Sequence, residues 1–522
     1  MSASTERKLR SAAIQAGTDR KTLAAREEAA KKAKSKRNWT IGTIIVVVLV
    51  AAIIILGSTN IIYNRTAAKV GDTKYSAAEV SYVYAAQYWN FYSSYGSYAS
   101  YFGLDTSSGL AGLADQECSW MEDGTWRDYF MESAMDELQQ VTALCAYADE
   151  NGITLTDEEI AEIDSSLDSA AESATYYGYS SLNNYFSSNY GKGVTTKIVR
   201  AYNMKTQLAS KAIEYYESTL QYTDEELEEY YQGLEGASDI FDYYYYSVAA
   251  ETVESTDDDG NTTSDVTDDT LAAAKATADE ILVAYTSDRE LEDYEAKLDS
   301  AIQVITGTED TCSHNSSASG SGLGVYSEWM MDSARKTGDA TVVENSAGTG
   351  YNVCVFIGRD DNHYNTVSVR HILIQTEADD DGNYTEEAKA AAKASIDEIY
   401  AEWQASDMTE ETFAELANTY SEDSGSNTNG GLYENIYKNE MVSAFNDFCF
   451  AEGRQPGDVD IVYGQSSGYE GYHIIYFVGE GELYSNYIAR NDLVSDAEST
   501  WSSELYANYE VTTTSGLRYA GK

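Results

Sequence analysis

Residues 471–479 read GYHIIYFVG. Ile474, Ile475, Tyr476, Phe477 and Val478 are β-branched or aromatic and a glycine stands at each end, which predicts a buried strand. A histidine opens it, in a chain with only four. Upstream, residues 350–358 read GYNVCVFIG, the same pattern with Asn352 where His473 stands. The flanks repeat as well. AAAKATADEI (272–281) and AAAKASIDEI (390–399) agree at eight of ten positions, DDDGN recurs at 257–261 and 379–383, and RKTGD (335–339) answers RQPGD (454–458). Offsets of 118 to 122, all in one order, predict a duplicated domain, with copy one over 237–362 and copy two over 363–482.

Each copy reads as strand, long helix, short helix, loop, helix and two strands, the pattern of an α+β domain with a small antiparallel sheet packed by helices. In copy two, VSVRHILIQ (367–375) alternates as a strand and EEAKAAAKASIDEIYAEW (386–403) has a helical period. Thr409 is the expected N-cap of TEETFAELANTY (409–420), and SEDSGSNTNGG (421–431) is a loop. Residues 66–236 differ. A short hairpin around Gly71-Asp72 leads into helical patterns such as 135–152 and 223–234, and the tail 483–522 holds another helix whose apolar positions need a partner, for which the helical part is the natural candidate.

Charge divides the chain sharply. Residues 1–38 hold 11 Lys or Arg against 4 Asp or Glu, and residues 39–62 carry no charge. The core IGTIIVVVLVAAIIILG (41–57) is long enough to cross a bilayer as a helix. A basic flank before it keeps the N-terminus cytoplasmic and puts the remainder, with net charge −60, outside. This signal-anchor reading implies contact with lipid through residues 39–62; a cleaved signal peptide is the rival, but no A-x-A site follows. Such acidity excludes a nucleic-acid partner, which needs a basic face. The five cysteines form no CxxC, so neither a disulfide framework nor a zinc site is expected, and the DDDG clusters at 257–260 and 379–382 lack the further ligands of a calcium loop.

Copy two holds His363, His371 and His473. If the strands of His371 and His473 are neighbours, their rings meet on one face, and Asp423 from the loop can reach them. Taken alone, the pattern reads first as two imidazoles satisfying each other inside a core. At this point VRHILI, FAELANTYSEDSGSNTNGGL, MVSAFNDFCF and GYHII resemble, in order and spacing, the parvulin-type peptidyl-prolyl isomerase domain. The helical region with VGDTKYSAAEV and NGITLTDEEI resembles the chaperone part of extracytoplasmic foldases of the PrsA and SurA kind.

The resemblance implies a mostly helical SurA-like domain (66–236) and two parvulin-like domains behind a single N-terminal transmembrane helix. It puts the catalytic roles on His371, Asp423 and His473 and the proline pocket on Leu432, Met441 and Phe445, with no cofactor or metal. Where many members have Ser or Thr before the second histidine this chain has YEGYH, with Glu470 nearest. Copy one, with the run FDYYYYSV (241–248) and Asn352, reads as inactive. Two functions follow: an isomerase and foldase acting on exported polypeptides with X-Pro bonds, or a non-catalytic holdase. In the second, tyrosine-rich segments such as QYWNFYSSYGSYASYF (87–102) offer a surface for unfolded chains, although the plainer reading of them is tyrosines packed between helices. A two-His-one-carboxylate metal site is a third arrangement of the same groups, unsupported by any cofactor motif.

Overall fold

The computed structural model describes residues 62–256, 262–288, 292–379 and 381–521. The basic tail 1–38, the apolar span 39–62 apart from Ile62, and the first DDDG cluster lie outside the described residues. Among the described residues no helix is long and apolar enough to cross a membrane. The chain divides into two compact units, one of residues up to Gln221 together with Leu493–Lys522, the other Tyr222–Asp492.

In the second unit the repeat appears as two sheets of one topology. The first half runs β1 (Ile240–Ala249), α1 (Asp268–Ser287), α2 (Tyr294–Thr306), β2 (Ser313–Ser319), β3 (Ala340–Glu344) and β4 (Gly350–Asp360). The second runs β5 (Asn365–Gln375), α3 (Glu386–Gln404), α4 (Glu410–Tyr420), β6 (Leu432–Ile436), α5 (Ser443–Cys449), β7 (Val459–Ser466) and β8 (Tyr469–Leu483). The strand orders are β2-β1-β4-β3 and β6-β5-β8-β7, with all pairs antiparallel.

The repeated RKTGD and RQPGD do the same work in both halves. Arg335 Nε donates to the Trp329 carbonyl (3.2 Å) and the guanidinium lies 4.1 Å from that ring's centre. Arg454 treats Phe448 likewise, at 3.0 and 3.8 Å. The glycines then donate to the last strands, Gly338 to Phe356 (2.7 Å) and Gly457 to Phe477 (2.8 Å).

The run GYHIIYFVG is buried on both faces. Ile474 packs with Ile396, Ile399, Trp403 and Phe413 of α3 and α4. Ile475 and Phe477 pack with Phe445, Phe448 and Cys449 of α5. Burying each such side chain contributes roughly 1.5–3 kcal/mol, which is why the run carries no polar alternation. Thr409 caps α4 as expected, its hydroxyl accepting from the Thr412 amide at 3.2 Å.

Three features depart from the sequence expectation. Each half has a fourth strand, β2 or β6, on the sheet edge, and copy one adds a hairpin at Thr252–Thr256 and Thr262–Val266. β2 reads SHNSSAS, with no β-branched or aromatic residue, and is held from one side only. The helix Asp224–Gly233, expected with the helical domain, groups instead with the second unit. Its Tyr231 hydroxyl donates to Asp239 and accepts from Asn362, both at 2.9 Å. The tail divides at 493 rather than 483, because Tyr484 and Ser485 bond back to Tyr364 and Asn362.

In the first unit, Thr66–Val70 and Thr73–Ser76 form a hairpin turning at Gly71-Asp72, and Val511–Thr513 adds a third strand on the other side of Thr66–Val70. Helices Ala77–Tyr95, Trp126–Glu150, Asp157–Tyr176, Leu182–Asn189 and Thr196–Thr219 enclose an aromatic core that includes Tyr82, Tyr88, Trp126, Phe130 and Phe186. Trp501, on the part of the helix Tyr484–Ala507 that belongs to this unit, stacks 4.1 Å from Tyr216.

Candidate active site

Register brings the two histidines together. In the β5–β8 ladder His371 faces Ile475 and Leu373 faces His473, so the histidines are diagonal neighbours on one face. Their Nδ1 atoms are 3.2 Å apart, with ring centres at 5.4 Å and planes 18° from parallel. Phe445 of α5 stands edge-on to both rings, at 5.5 and 5.4 Å.

The loop after α4 is stitched to the free edge of β5 beyond the end of β6. Leu373 N donates to Ser421 Oγ (3.1 Å), Glu422 N to Leu373 O (2.9 Å), and Gln375 N to Glu422 Oε2 (2.7 Å). These bonds carry Asp423 to His371. Asp423 Oδ2 lies 2.9 Å from His371 Nε2 and accepts from the Tyr433 hydroxyl (3.0 Å) and from the Ser426 hydroxyl, while Oδ1 accepts from Gly425 N (3.1 Å). At the other end the Tyr469 hydroxyl stands 2.8 Å from His473 Nε2. A continuous polar line therefore runs Tyr469, His473, His371, Asp423, Tyr433.

Electrostatics settle most of the protons on that line. The bond from His371, opposed by burial and aided by Ser426 and Gly425, holds the Asp423 carboxyl well below the usual carboxylate range, so it is an anion at neutral pH. It thus accepts a proton donated by His371 Nε2. Burial, reinforced by the neighbouring His371 and opposed by Asp423, lowers His473 to about 3, so this ring is neutral. With its Nε2–H directed at Asp423, His371 accepts at Nδ1 from the Nδ1–H of His473, and the Tyr469 hydroxyl donates to His473 Nε2, so every group on the line is satisfied.

The lowered values set a pH dependence. Above 6.5 neither the folded nor the unfolded chain protonates His473. Below it the unfolded chain takes up a proton that the folded one refuses until about pH 3, so stability is lost as pH falls through that window. Asp423 acts in the same direction at lower pH, its contribution being lost below the ordinary carboxylate value. Local stability of β8, read from hydrogen exchange corrected for intrinsic rates, is expected to fall between pH 8 and pH 5 by on the order of 1 kcal/mol more in the wild type than in His473→Asn. Equal falls in the two proteins would remove His473 as the source.

Of the apolar positions, Met441 and Phe445 belong to the cluster beside the histidines, with Val442 and Tyr433. Leu432 does not. It pairs with Arg370, and Tyr433 pairs with Val369, so alternation turns Leu432 to the α4 face, where Arg370 bonds Glu410 at 2.8 Å. Tyr433 takes the expected place of Leu432. Glu470 also lies on the far face, bonded to Lys389 (3.0 Å) and to the Tyr463 hydroxyl. In a strand the residue three before His473 points away and the one four before points the same way, and that one is Tyr469. Phe445 is only 2% exposed, with the half-buried Met441, Val442 and Tyr433 packed against the same cluster.

His363 is remote in role, bonded to Glu228 and to the Asp361 carbonyl. In copy one Asn352 pairs with Ser247, the place His473 takes opposite Leu373, and Tyr245 pairs with Cys354, the place of His371 opposite Ile475. Asn352 accepts from the Ser247 hydroxyl (2.7 Å), and His314 instead bonds Asp242 (2.7 Å) over the ring of Tyr244. Among the described residues no group of His, Cys, Asp and Glu is arranged to hold a metal.

Residues 351–479 match the family model described as the PPIC-type PPIASE domain, a match that begins on β4 and ends on β8. No curated protein sequence matches significantly. Among solved structures, the chain is similar to the peptidylprolyl isomerase PrsA of Bacillus anthracis, with 22% identity over 28% of this chain and 59% of that one, at a TM-score of 0.18. It is similar to PrsA of Bacillus cereus, with 17% identity over 52% and 96% and a TM-score of 0.19. A third is the foldase protein PrsA of Streptococcus pneumoniae, with 13% identity over 76% and 95% and a TM-score of 0.22. These scores are too low to bear on fold or activity, which rest on the domain match and the site.

Proposed function

We propose, from the premise that this chain carries a parvulin-type peptidyl-prolyl isomerase domain, that β5–β8 and their helices rotate X-Pro bonds in unfolded or partly folded polypeptides. The observation that carries this is the line of hydrogen bonds joining His473, His371 and Asp423 beside Phe445. An unaided amide rotation faces a barrier of roughly 18–20 kcal/mol, and lowering it needs neither nucleophile nor metal. It needs a grip on the ring and a field that disfavours the planar amide.

The side chain of Asp423 is 19% exposed and that of His371 6%, so the carboxylate faces the substrate and the imidazoles stand behind it. A fixed anion near the amide oxygen opposes the resonance form with negative charge on that oxygen, which weakens the C–N double-bond character. The histidines hold the carboxylate in place, and Met441, Phe445 and Tyr433 receive the proline ring. A protease-coupled or NMR exchange assay on X-Pro peptides tests this; turnover at background would leave the holdase, the reading favoured by the cover over Phe445. Within that assay, Leu432→Ala is expected to change kcat/KM less than twofold and Tyr433→Phe, which removes a bond to a carboxylate, to lower it about tenfold. The reverse order would return Leu432 to the pocket.

In this reading copy one is a non-catalytic domain, supported by Asn352 and Tyr245 at the two histidine places. The uncharged span 39–62 anchors the chain, with the acidic parts outside and exported polypeptides as clients, supported by the charge step at residue 38. Protease added to intact cells is expected to digest residues beyond 62; full protection would overturn the orientation.

A further inference from the structure

The segment 87–102 splits by side. Phe91 and Tyr88 are buried in the first unit, but Tyr92, Tyr95, Tyr98, Tyr101 and Trp120 stand in the open, Tyr98 at 60% and Tyr101 at 84% exposed. Four of them fall into two ring clusters. Tyr95 and Trp120 both touch Phe91 and Phe102, with ring centres 5.0 to 6.2 Å apart, and Tyr98 meets Tyr101 at 6.3 Å. A short 3-10 helix, Gly96–Phe102, continues the helix Ala77–Tyr95 and turns these rings outward. Exposed aromatic ledges of this kind mark interaction surfaces.

Charge selects what it takes. Between Lys74 and Arg127 there is no Lys, Arg or His. Asp105, Asp115, Glu117, Glu122 and Asp123, in the stretch between Phe102 and Trp126 that carries Trp120, are all exposed. An acidic rim repels anionic lipid and a second copy of this acidic chain. It attracts a cation, and tyrosine faces attract cations too.

We propose that this ledge binds extended polypeptide segments in which Lys or Arg alternates with aromatic residues. The proposal deepens the client-binding role stated above. Its test does not depend on the isomerase: the full chain is titrated with a fluorescently labelled twelve-residue peptide of alternating Arg and Phe. Controls are the same peptide with Glu for Arg, the peptide with Ser for Phe, and anionic lipid vesicles. Binding of the Arg-Phe peptide is expected to be at least tenfold tighter than of either control peptide, and to weaken with salt. Tyr98→Ser with Tyr101→Ser and Trp120→Ser is expected to weaken it at least tenfold, and Glu117→Gln with Glu122→Gln and Asp123→Asn several-fold. Both variants keep the wild-type circular dichroism and turnover on an X-Pro tetrapeptide. Equal binding of the Glu-Phe peptide, binding of vesicles at least as tight, or wild-type binding by the folded aromatic variant would overturn the proposal. Loss of tetrapeptide turnover in the wild type, by contrast, would strike the isomerase and leave this surface standing.

Discussion

Asp423→Ala is expected to lower kcat/KM on an X-Pro tetrapeptide about 100-fold, mostly in kcat, the loss typical of one preorganised electrostatic group. The carboxylate accepts from His371, Tyr433, Ser426 and the Gly425 amide. Alanine leaves His371 Nε2–H only the Ser426 hydroxyl at 3.2 Å and removes the partly exposed carboxylate, while the proposed ring contacts Met441 and Phe445 stay in place, so KM is expected to move little. Asp423→Asn separates the two losses. The amide oxygen can still accept from His371 but carries no charge, and an intermediate fall of roughly tenfold is expected. Wild-type turnover in Asp423→Asn would show that geometry alone suffices and that the anion is not the agent.

The second large effect is on stability. Gly431 sits at φ +72°, and its carbonyl accepts from His371 N at 2.8 Å. A Cβ there would stand 2.2 Å from the His371 carbonyl oxygen and 3.0 Å from Ala417 Cβ. Gly431→Ala therefore combines a left-handed backbone with a collision against a strand that cannot move without moving His371. A cost of about 3 kcal/mol is expected, the sum of roughly 1–2 for the backbone and 1–3 for overpacking. Gly453→Ala is the comparison, since φ is +82° but its Cβ would meet nothing within 4 Å. Only the backbone part remains there, about 1 kcal/mol. Chemical denaturation followed at the buried Trp403 measures both, and equal losses would show that the contact with His371 relaxes freely.

How much of this was legible beforehand depended on periodicity. The strands of His371 and His473 could be read because apolar runs bounded by glycine are strong signals, and strand alternation then puts the two residues on one face once the ladder is known. Asp423 was legible only as within reach of the histidines, its role coming from family resemblance, since a Ser-, Gly- and Asn-rich loop has no period to say where it lies. Leu432 was misplaced for the same reason. β6 is five residues long, and Asn435 within it has φ +57°, so no alternation showed which neighbour faced inward. Tyr469 carries no motif of its own: a hydroxyl four residues before His473 shares its face through strand alternation, while the charge of Glu470, three residues before, does not. The polar edge strand β2 left no trace in composition because it is built of serines and is paired on one side.

The short sheet of the first unit takes two strands from residues 66–76 and its third from residues 511–513, with the whole isomerase unit spelled out between them. A chain delivered from its N-terminus therefore finishes the prolyl isomerase before the helical unit can close. Until residues 501–513 arrive, Tyr216 lacks its Trp501 and Thr66–Val70 offers an unpaired edge. Assembly is thus ordered by gene position, with the helical unit completed after the isomerase unit.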